Sequence, residues 1–160
     1  MSGTPKEAAS PELRLAPVDQ SNRAALAAMV LGPAQAHFVA SNADSLAEAE
    51  ENADARPRAL LSGDRLVGFL MYEAPEGKSE ARIYRLMIDP AEQGHGFGRA
   101  AVRAVLAEIR AIGSVTEVSI CYDPGNEAAR RLYREAGFRE EGLDEDGEMI
   151  ARLVWPSREA

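Results

Sequence analysis

The hydrophobic and polar positions of the chain predict about seven strands and about four helices. Short apolar runs bounded by turn residues favour strands, and runs with a helical period favour helices. The clearest helix has Val102, Val105, Leu106 and Ile109 at i, i+3, i+4 and i+7, with Gly113 as its stop. The other three helices are predicted at 22–31, at 45–54 with position 44 or 45 as cap, and from 126 to 137. The seven strands are predicted at 13–18, 58–61, 66–72, 81–88, 115–122, from 138 onward and at 149–154.

This order of elements predicts a mixed α/β fold. Three strands joined by short connections precede two βα units, an order that builds a mixed sheet with helices on both faces. At 160 residues the chain is long enough to bury one core without disulfides or metals. We predict a single domain over 12–156, preceded by a disordered tail over 1–11.

A glycine-rich turn between a strand and the clearest helix is the strongest chemical feature of the sequence. Gly94, Gly96 and Gly98 alternate immediately before the helix. Alternating glycines remove side chains where a ligand approaches the backbone, and the first N–H groups of a helix carry the positive end of its dipole. Arg99 adds a positive charge at the same end. The turn therefore predicts a phosphate or pyrophosphate site.

Two common phosphate motifs do not match this turn. A dinucleotide-binding motif needs a third glycine where the chain has Arg99, and a P-loop needs Gly-Lys followed by Ser or Thr. The flanking residues are more specific. They are Gln93-x-x-Gly96-x-Gly98 after a strand ending Leu86-Met-Ile-Asp-Pro90, and Asn126-Glu-Ala-Ala-Arg-Arg-Leu-Tyr133 further on. In this order the two motifs resemble those of the GNAT N-acetyltransferase superfamily.

The resemblance covers almost the whole chain and implies a fold, a co-substrate and a reaction. It implies a central mixed, mostly antiparallel sheet of about seven strands flanked by about four helices. It also implies transfer of an acetyl group from acetyl-CoA to an amine, with the pyrophosphate on the turn and the pantetheine arm beside the preceding strand. The resemblance assigns acetyl-CoA binding to Leu86, Met87, Ile88, Gln93, Gly94, His95, Gly96, Phe97, Gly98, Arg99, Asn126 and Tyr133.

Tyr133 resembles the general acid of the superfamily. Its helical face also carries Ala129, Leu132 and Ala136, so the residue pattern alone favours a core aromatic, and only the resemblance favours the catalytic role. A phenol at this place is able to protonate the leaving CoA thiolate. Asn126 is a good N-cap for the same helix, a role that is compatible with a contact to the co-substrate.

The attacking amine also has to lose a proton. An alkylamine resembles Lys, with a pKa of about 10.4, and is protonated at neutral pH. Glu80, at the start of the strand that leads into the turn, is the predicted general base. His95 is interpreted as a turn residue, and His37 fits either the acceptor pocket or a packed position.

Several segments resemble the bacterial spermine/spermidine acetyltransferase-like branch of the superfamily. Among them are Phe38-Val-Ala-Ser-Asn42, Val67-Gly-Phe-Leu-Met-Tyr72 and Asp146-Gly-Glu-Met-Ile-Ala151. The branch commonly has aromatic residues where this chain has Ala81 and Arg82, and an arginine there would repel a polycation. We predict a small-molecule amine acceptor, with a polyamine favoured. A peptide or protein amine, and a non-catalytic acetyl-CoA-binding regulatory module, are the alternatives.

Composition narrows the remaining classes of function. A net charge of −8 argues against a nucleic-acid partner and favours a cationic acceptor, although many acidic surfaces serve only solubility. The sequence has no secretory signal and no membrane span, which predicts a cytoplasmic protein without a membrane partner. Cys121 is the only cysteine, so no metal site is expected, and its apolar strand favours a core position. A homodimer is compatible with the resemblance.

Overall fold

One seven-stranded sheet carries the rest of the structure, a computed structural model that describes residues 12–29 and 42–156. The strands are β1 (Arg14–Pro17), β2 (Ala55–Ser62), β3 (Arg65–Glu73), β4 (Glu80–Ile88), β5 (Glu117–Tyr122), β6 (Arg139–Leu143) and β7 (Met149–Val154). The helices are α1 (Arg23–Ala28), α2 (Asn42–Glu51), α3 (Phe97–Arg110) and α4 (Glu127–Glu135), and a 3₁₀ turn covers Pro90–Glu92. The strand order is β1-β2-β3-β4-β5-β7-β6.

Every neighbouring pair of strands is antiparallel except β4 and β5. These two central strands are parallel, and they pair only from Glu80↔Glu117 to Ile83↔Ile120. Beyond Ile83 the edge of β4 that faces β5 has no strand partner, so the sheet opens there. The predicted mixed, mostly antiparallel sheet is confirmed.

A β-bulge on β4 lies at the point where the two strands separate. Met71 pairs with Arg85 and Tyr72 pairs with Ile83, which leaves Tyr84 without a partner on β3. A bulge bends its strand and increases the local twist. The bend accompanies the divergence of β4 from β5.

Helices cover both faces of the sheet, as the sequence predicts. On one face, core residues of the sheet pack with Val102 and Val105 of α3 and with Tyr133 of α4. On the other face, Leu26 of α1 and Leu46 of α2 pack against another set of buried sheet residues. The two cores fix the central strands from both sides.

The boundaries of the first two helices differ from the prediction. The backbone leaves the helical region at Met29, with φ −65° and ψ 122°, so α1 ends before the predicted 31. The predicted caps Asp44 and Ser45 lie inside α2, which starts at Asn42. The helix ends before Asp54 because the Asn52 side chain accepts a hydrogen bond of 3.0 Å from the Asp54 N–H. A short Asx turn competes with continued helix at such a residue.

The second strand is longer than predicted and includes Pro57. Because β1 ends opposite Arg58, Pro57 has a strand neighbour only on the β3 side. A proline is tolerated in a strand that needs no backbone hydrogen bonds to a second neighbouring strand.

The predicted tail over 1–11 and His37 lie outside the described residues. No helix in the described ranges is long and apolar enough to span a membrane.

Candidate active site

A cavity of about 530 Å³ lies where β4 and β5 separate. Its walls are the second half of β4, the glycine turn, the end of β5, the beginning of α4 and Glu148 in the β6–β7 turn. The cavity therefore joins the two motifs on which the sequence prediction depends. Its size is typical of a small-molecule or cofactor site.

The glycine turn requires glycine at two positions. Gly94 has a φ of 85° and Gly96 a φ of 82°, both in the left-handed region that other residues avoid. Gly96 is the N-cap of α3. The turn is held by the Asp89 side chain, which accepts from the Ala91 N–H at 3.1 Å, and by the Gln93 side chain, which donates to the Ile88 carbonyl at 3.2 Å.

Gly98 has room for a side chain in the protein alone. A Cβ at this position would meet only the Leu132 Cδ2 atom, at 3.6 Å, which is an ordinary van der Waals contact. The open space lies at the N-terminus of α3, where the first N–H groups have no partner within the helix. An anion such as pyrophosphate fits these donors and the positive end of the helix dipole.

The structure brings most of the predicted acetyl-CoA residues to this cavity. The ones that line it are Leu86, Ile88, Gln93, Gly94, Gly96, Phe97, Gly98, Asn126 and Tyr133. Three others do not line it. The Met87 side chain packs in the core on the α1–α2 face, His95 is exposed, and Arg99 pairs with Glu135 at 2.5 Å. A role in acetyl-CoA binding stays a prediction for all of these residues, whether or not they line the cavity.

Tyr133 is 5% exposed and lies in an aromatic stack beside the cavity. Its ring stacks on Tyr122, with ring centroids 5.5 Å apart, and meets the edge of Phe138 at 5.8 Å. Burial, with a smaller effect of the Tyr122 phenol, raises the pKa of Tyr133. The phenol is therefore protonated at neutral pH.

The start of α4 places Tyr133 relative to the cavity. The Asn126 side chain accepts a hydrogen bond of 3.1 Å from the Ala129 N–H, which confirms the predicted N-cap. One turn later, Arg130 pairs with Glu140 of β6 at 3.3 Å and ties the helix to the sheet. These two contacts fix the helix at its N-terminus and on its sheet side.

Glu80 lies outside the cavity. Its carboxylate accepts a hydrogen bond of 3.1 Å from the Ser119 hydroxyl and forms a salt bridge of 3.1 Å with Arg152. The side chain is about half exposed. Glu80 as the base stays a prediction, and the structure does not bring this residue together with Tyr133.

Residues that the sequence analysis did not assign to the site form the other end of the cavity. They include Tyr84, Cys121 and Glu148, and Arg82 lines the cavity with them. The Arg82 guanidinium lies 5.1 Å from the centre of the Tyr84 ring and donates to the Cys121 sulfur at 3.6 Å. Burial and a hydrogen bond to Glu73 raise the pKa of Tyr84 to about 12.

The core position predicted for Cys121 is wrong. The thiol is only partly buried and lines the cavity, because β5 loses its β4 neighbour before this residue. Burial is the main factor that raises the pKa of Cys121. The sulfur and the carboxylates of Asp144 and Glu148 lie within 4.8 Å of one another, a spacing at which one metal ion could contact all three. The expected absence of a metal stays a prediction.

Residues 33–138 match the acetyltransferase (GNAT) family. The chain belongs to this family. It is an acetyltransferase, and acetyl-CoA is its co-substrate. Its glycine turn leads into the N-terminus of α3, and β4 has a free backbone edge beside the cavity.

Relatives of this acetyltransferase include enzymes named for spermine and spermidine and for mycothiol. The spermine/spermidine N(1)-acetyltransferase of Bacillus subtilis (strain 168) is 29% identical over 140 residues, which cover 83% of this chain and 92% of that protein. The mycothiol acetyltransferase of Streptosporangium roseum is 42% identical over 62 residues, which cover 39% of this chain and 18% of that protein. The resemblance to the spermine/spermidine branch is thereby confirmed.

Two solved structures share the fold of this acetyltransferase. Aminoglycoside acetyltransferase AAC(6')-Ib in complex with coenzyme A has a TM-score of 0.75 and 18% identity, covering 89% of this chain and 95% of its own. RimL, a ribosomal L7/L12 alpha-N-protein acetyltransferase in complex with coenzyme A, has the same TM-score of 0.75 and 18% identity, covering 91% and 96%. Both confirm the predicted fold.

The space beside Gly98 provides a test of co-substrate binding. Gly98→Ala should weaken coenzyme A binding about tenfold or more, because the methyl group occupies the space left for the pyrophosphate. The free protein should be as stable as the unaltered one, or more stable by up to about 1 kcal/mol, since alanine favours helix. Titration calorimetry and thermal unfolding measure the two effects.

The opposite substitution on the exposed side of the same helix is the matched control. Ala107→Gly should lower the free energy of unfolding by about 1 kcal/mol and leave coenzyme A affinity unchanged. Unchanged coenzyme A affinity in Gly98→Ala would contradict the placement of the pyrophosphate.

Proposed function

We propose that this enzyme transfers the acetyl group of acetyl-CoA to the amine of a small cationic acceptor, with polyamines such as spermidine favoured. The observation that carries the proposal is the cavity itself, which opens between the glycine turn and Tyr133 on one side and Glu148 on the other. Glu148 belongs to an acidic turn over 144–148, and the whole chain has a net charge of −8. Such a surface concentrates polycations. A relative similar over 92% of its length is named for spermine and spermidine.

The free edge of β4 supports a defined position for the thioester. Past Ile83 the backbone N–H and C=O groups on the β5 side have no strand partner. The amides of the pantetheine arm are able to pair there as an added strand does. An N–H near Leu86 or Ile88 would then stabilise the negative charge that develops on the thioester oxygen.

Tyr133 supplies the proton for the leaving group in this proposal. As the amine nitrogen bonds to the carbonyl carbon, the carbon–sulfur bond breaks and the thiolate takes the phenolic proton. A free thiol has a pKa of about 8.5, so an ordinary phenol would donate to its thiolate only weakly. Inside the cavity, burial destabilises the thiolate as well as the phenolate, and this reduces the mismatch.

Arg82 opposes a polycationic acceptor. The residue lines the cavity and makes no ion pair with any carboxylate in the described ranges. A positive charge here lowers the affinity for spermidine relative to an acceptor with one amine. A peptide or protein α-amine is therefore the second candidate, and a solved structure of the same fold is named for an alpha-N-protein substrate.

An acceptor panel tests the proposed function. With acetyl-CoA and the full chain, spermidine should release free CoA thiol faster than a dipeptide α-amine or an aminoglycoside at equal concentration. Thiol release and mass spectrometry of the product measure the rate and the acetylated atom. Release with the dipeptide alone would favour the second candidate, and no release with any of the three amines would contradict the proposed acceptor class.

Arg82→Gln is the matched variant for this panel. Loss of the positive charge should raise kcat/KM for spermidine about 3- to 10-fold and leave that for a monoamine within about twofold. An equal change for both acceptors would show that the charge of Arg82 does not select the acceptor.

Tyr133→Phe should lower kcat about 10- to 100-fold, because the leaving thiolate loses its proton donor. The affinity for acetyl-CoA should stay unchanged, since the ring still stacks on Tyr122. Steady-state kinetics and calorimetry measure both. Tyr72→Phe is the control, because that hydroxyl bonds to Glu108 and the residue does not line the cavity. Equal kcat in the two variants would remove Tyr133 from its role.

The raised pKa of Tyr133 predicts the pH dependence of the reaction. A raised pKa keeps the donating, protonated form of an acid present to higher pH. From about pH 6 to pH 10, kcat/KM for spermidine should rise as the amine loses its proton, without a fall near the ordinary tyrosine pKa of about 10. An alkaline fall below pH 10 that disappears in Tyr133→Phe would contradict this account.

A further inference from the structure

Two carboxylates line the cavity, and only one of them is unpaired. Glu92 forms a salt bridge of 3.1 Å with Arg65 at the glycine-turn end. Glu148 lies at the other end and makes no ion pair with any residue of the described ranges. An unpaired carboxylate in a cleft that also holds a buried acid is a candidate for proton transfer.

The turn that carries Glu148 is well defined. The backbone N–H of Glu148 donates to the Asp144 side chain at 2.9 Å, and the Glu148 carbonyl accepts from the Asp144 N–H at 2.8 Å. These bonds hold Glu148 immediately before β7. The position of the carboxylate therefore depends on the fold of the β6–β7 hairpin.

Glu148 and Tyr133 reach the cavity from opposite faces of β5. The carboxylate of Glu148 lies within 4.8 Å of the Cys121 sulfur. Tyr133 stacks on Tyr122, the next residue of the strand. Neighbouring side chains of a strand point to opposite faces. The two groups thus lie on opposite sides of the space beside the end of β5. Glu148 is on the side where it could accept a proton from the amine, and Tyr133 is on the side where it could protonate the leaving group.

The charges around Glu148 have both signs. Arg82, 3.6 Å from the Cys121 sulfur, brings a positive charge to this end of the cavity. Asp144 brings a negative charge, and the Cys121 thiol is neutral because its pKa is raised. Glu80, in contrast, is paired with Arg152 outside the cavity.

We propose that Glu148 is a catalytic residue that accepts the proton lost by the amine nitrogen, an inference that rests on the proposed function. A neutral amine forms the nitrogen–carbon bond while the carbon–sulfur bond breaks. The nitrogen proton passes to the Glu148 carboxylate, and the Tyr133 proton passes to sulfur. Solvent then removes the first proton and restores the second, so the products are the N-acetyl amine and CoA thiol.

Chemical rescue tests this role in the full chain. Glu148→Ala should lower kcat about 100-fold with the best acceptor of the panel and leave the KM for acetyl-CoA unchanged. Added formate should restore part of kcat in a saturable way, because it fits the space left by the carboxylate. Glu145→Ala, an exposed change in the same turn, should retain kcat within about twofold.

Each other outcome contradicts a defined part of the account. If the unaltered protein acetylates no amine, the proposed function fails and the role of Glu148 fails with it. If the unaltered protein is active, three results overturn the role of Glu148 alone. They are an unchanged kcat in Glu148→Ala, a raised acceptor KM without loss of kcat, and a loss of kcat that formate does not restore. A chelator that abolishes activity, with recovery on adding a divalent cation, would make the carboxylate a metal ligand instead.

Discussion

The separation of β4 from β5 after Ile83 is the constraint on which the active site depends. A sheet normally pairs the backbone groups on both sides of a central strand, and unpaired groups in a buried place are costly. Here the second half of β4 keeps β3 on one side and opens to the cavity on the other. The resulting gap leaves a backbone edge of β4 open to the cavity and exposes the ends of both strands there.

The aromatic stack connects this gap to the helix that carries Tyr133. Tyr122 ends β5 and Tyr133 lies on α4, so their contact links the edge of the sheet to the helix face. The Arg130–Glu140 pair adds a second link between α4 and the sheet. The second Glu140 oxygen is buried without a hydrogen-bond partner in the described part of the chain. Burial of the Tyr122 phenol is the main factor that raises its pKa, and the nearby Glu140 carboxylate raises it further. The site is therefore held by packing and ion pairs from two directions.

Local signals predict most of the fold and the end of the cavity that the glycine turn forms. The bounds of β7 are as predicted, and the glycine turn and the Asn126 cap follow from residues close in sequence. The other end of the cavity depends on contacts between distant residues, which a single sequence does not reveal. Glu80 is paired with Arg152, 72 positions away, and Cys121 faces the cavity only because β4 diverges beside it. Nothing in the sequence of the acidic turn distinguishes Glu148 as the residue of that turn that lines the cavity.

The central claim is that backbone amides at the start of α3 bind the pyrophosphate while β4 pairs with the attached arm. Amide NMR of the full chain during coenzyme A titration tests this claim most directly. The account predicts that the N–H signals of Phe97, Gly98 and Arg99 move downfield, as expected on hydrogen bonding to phosphate, and that those of the second half of β4 shift while those of β1 and β2 do not. Saturable binding of coenzyme A without a change at these three amides would contradict it.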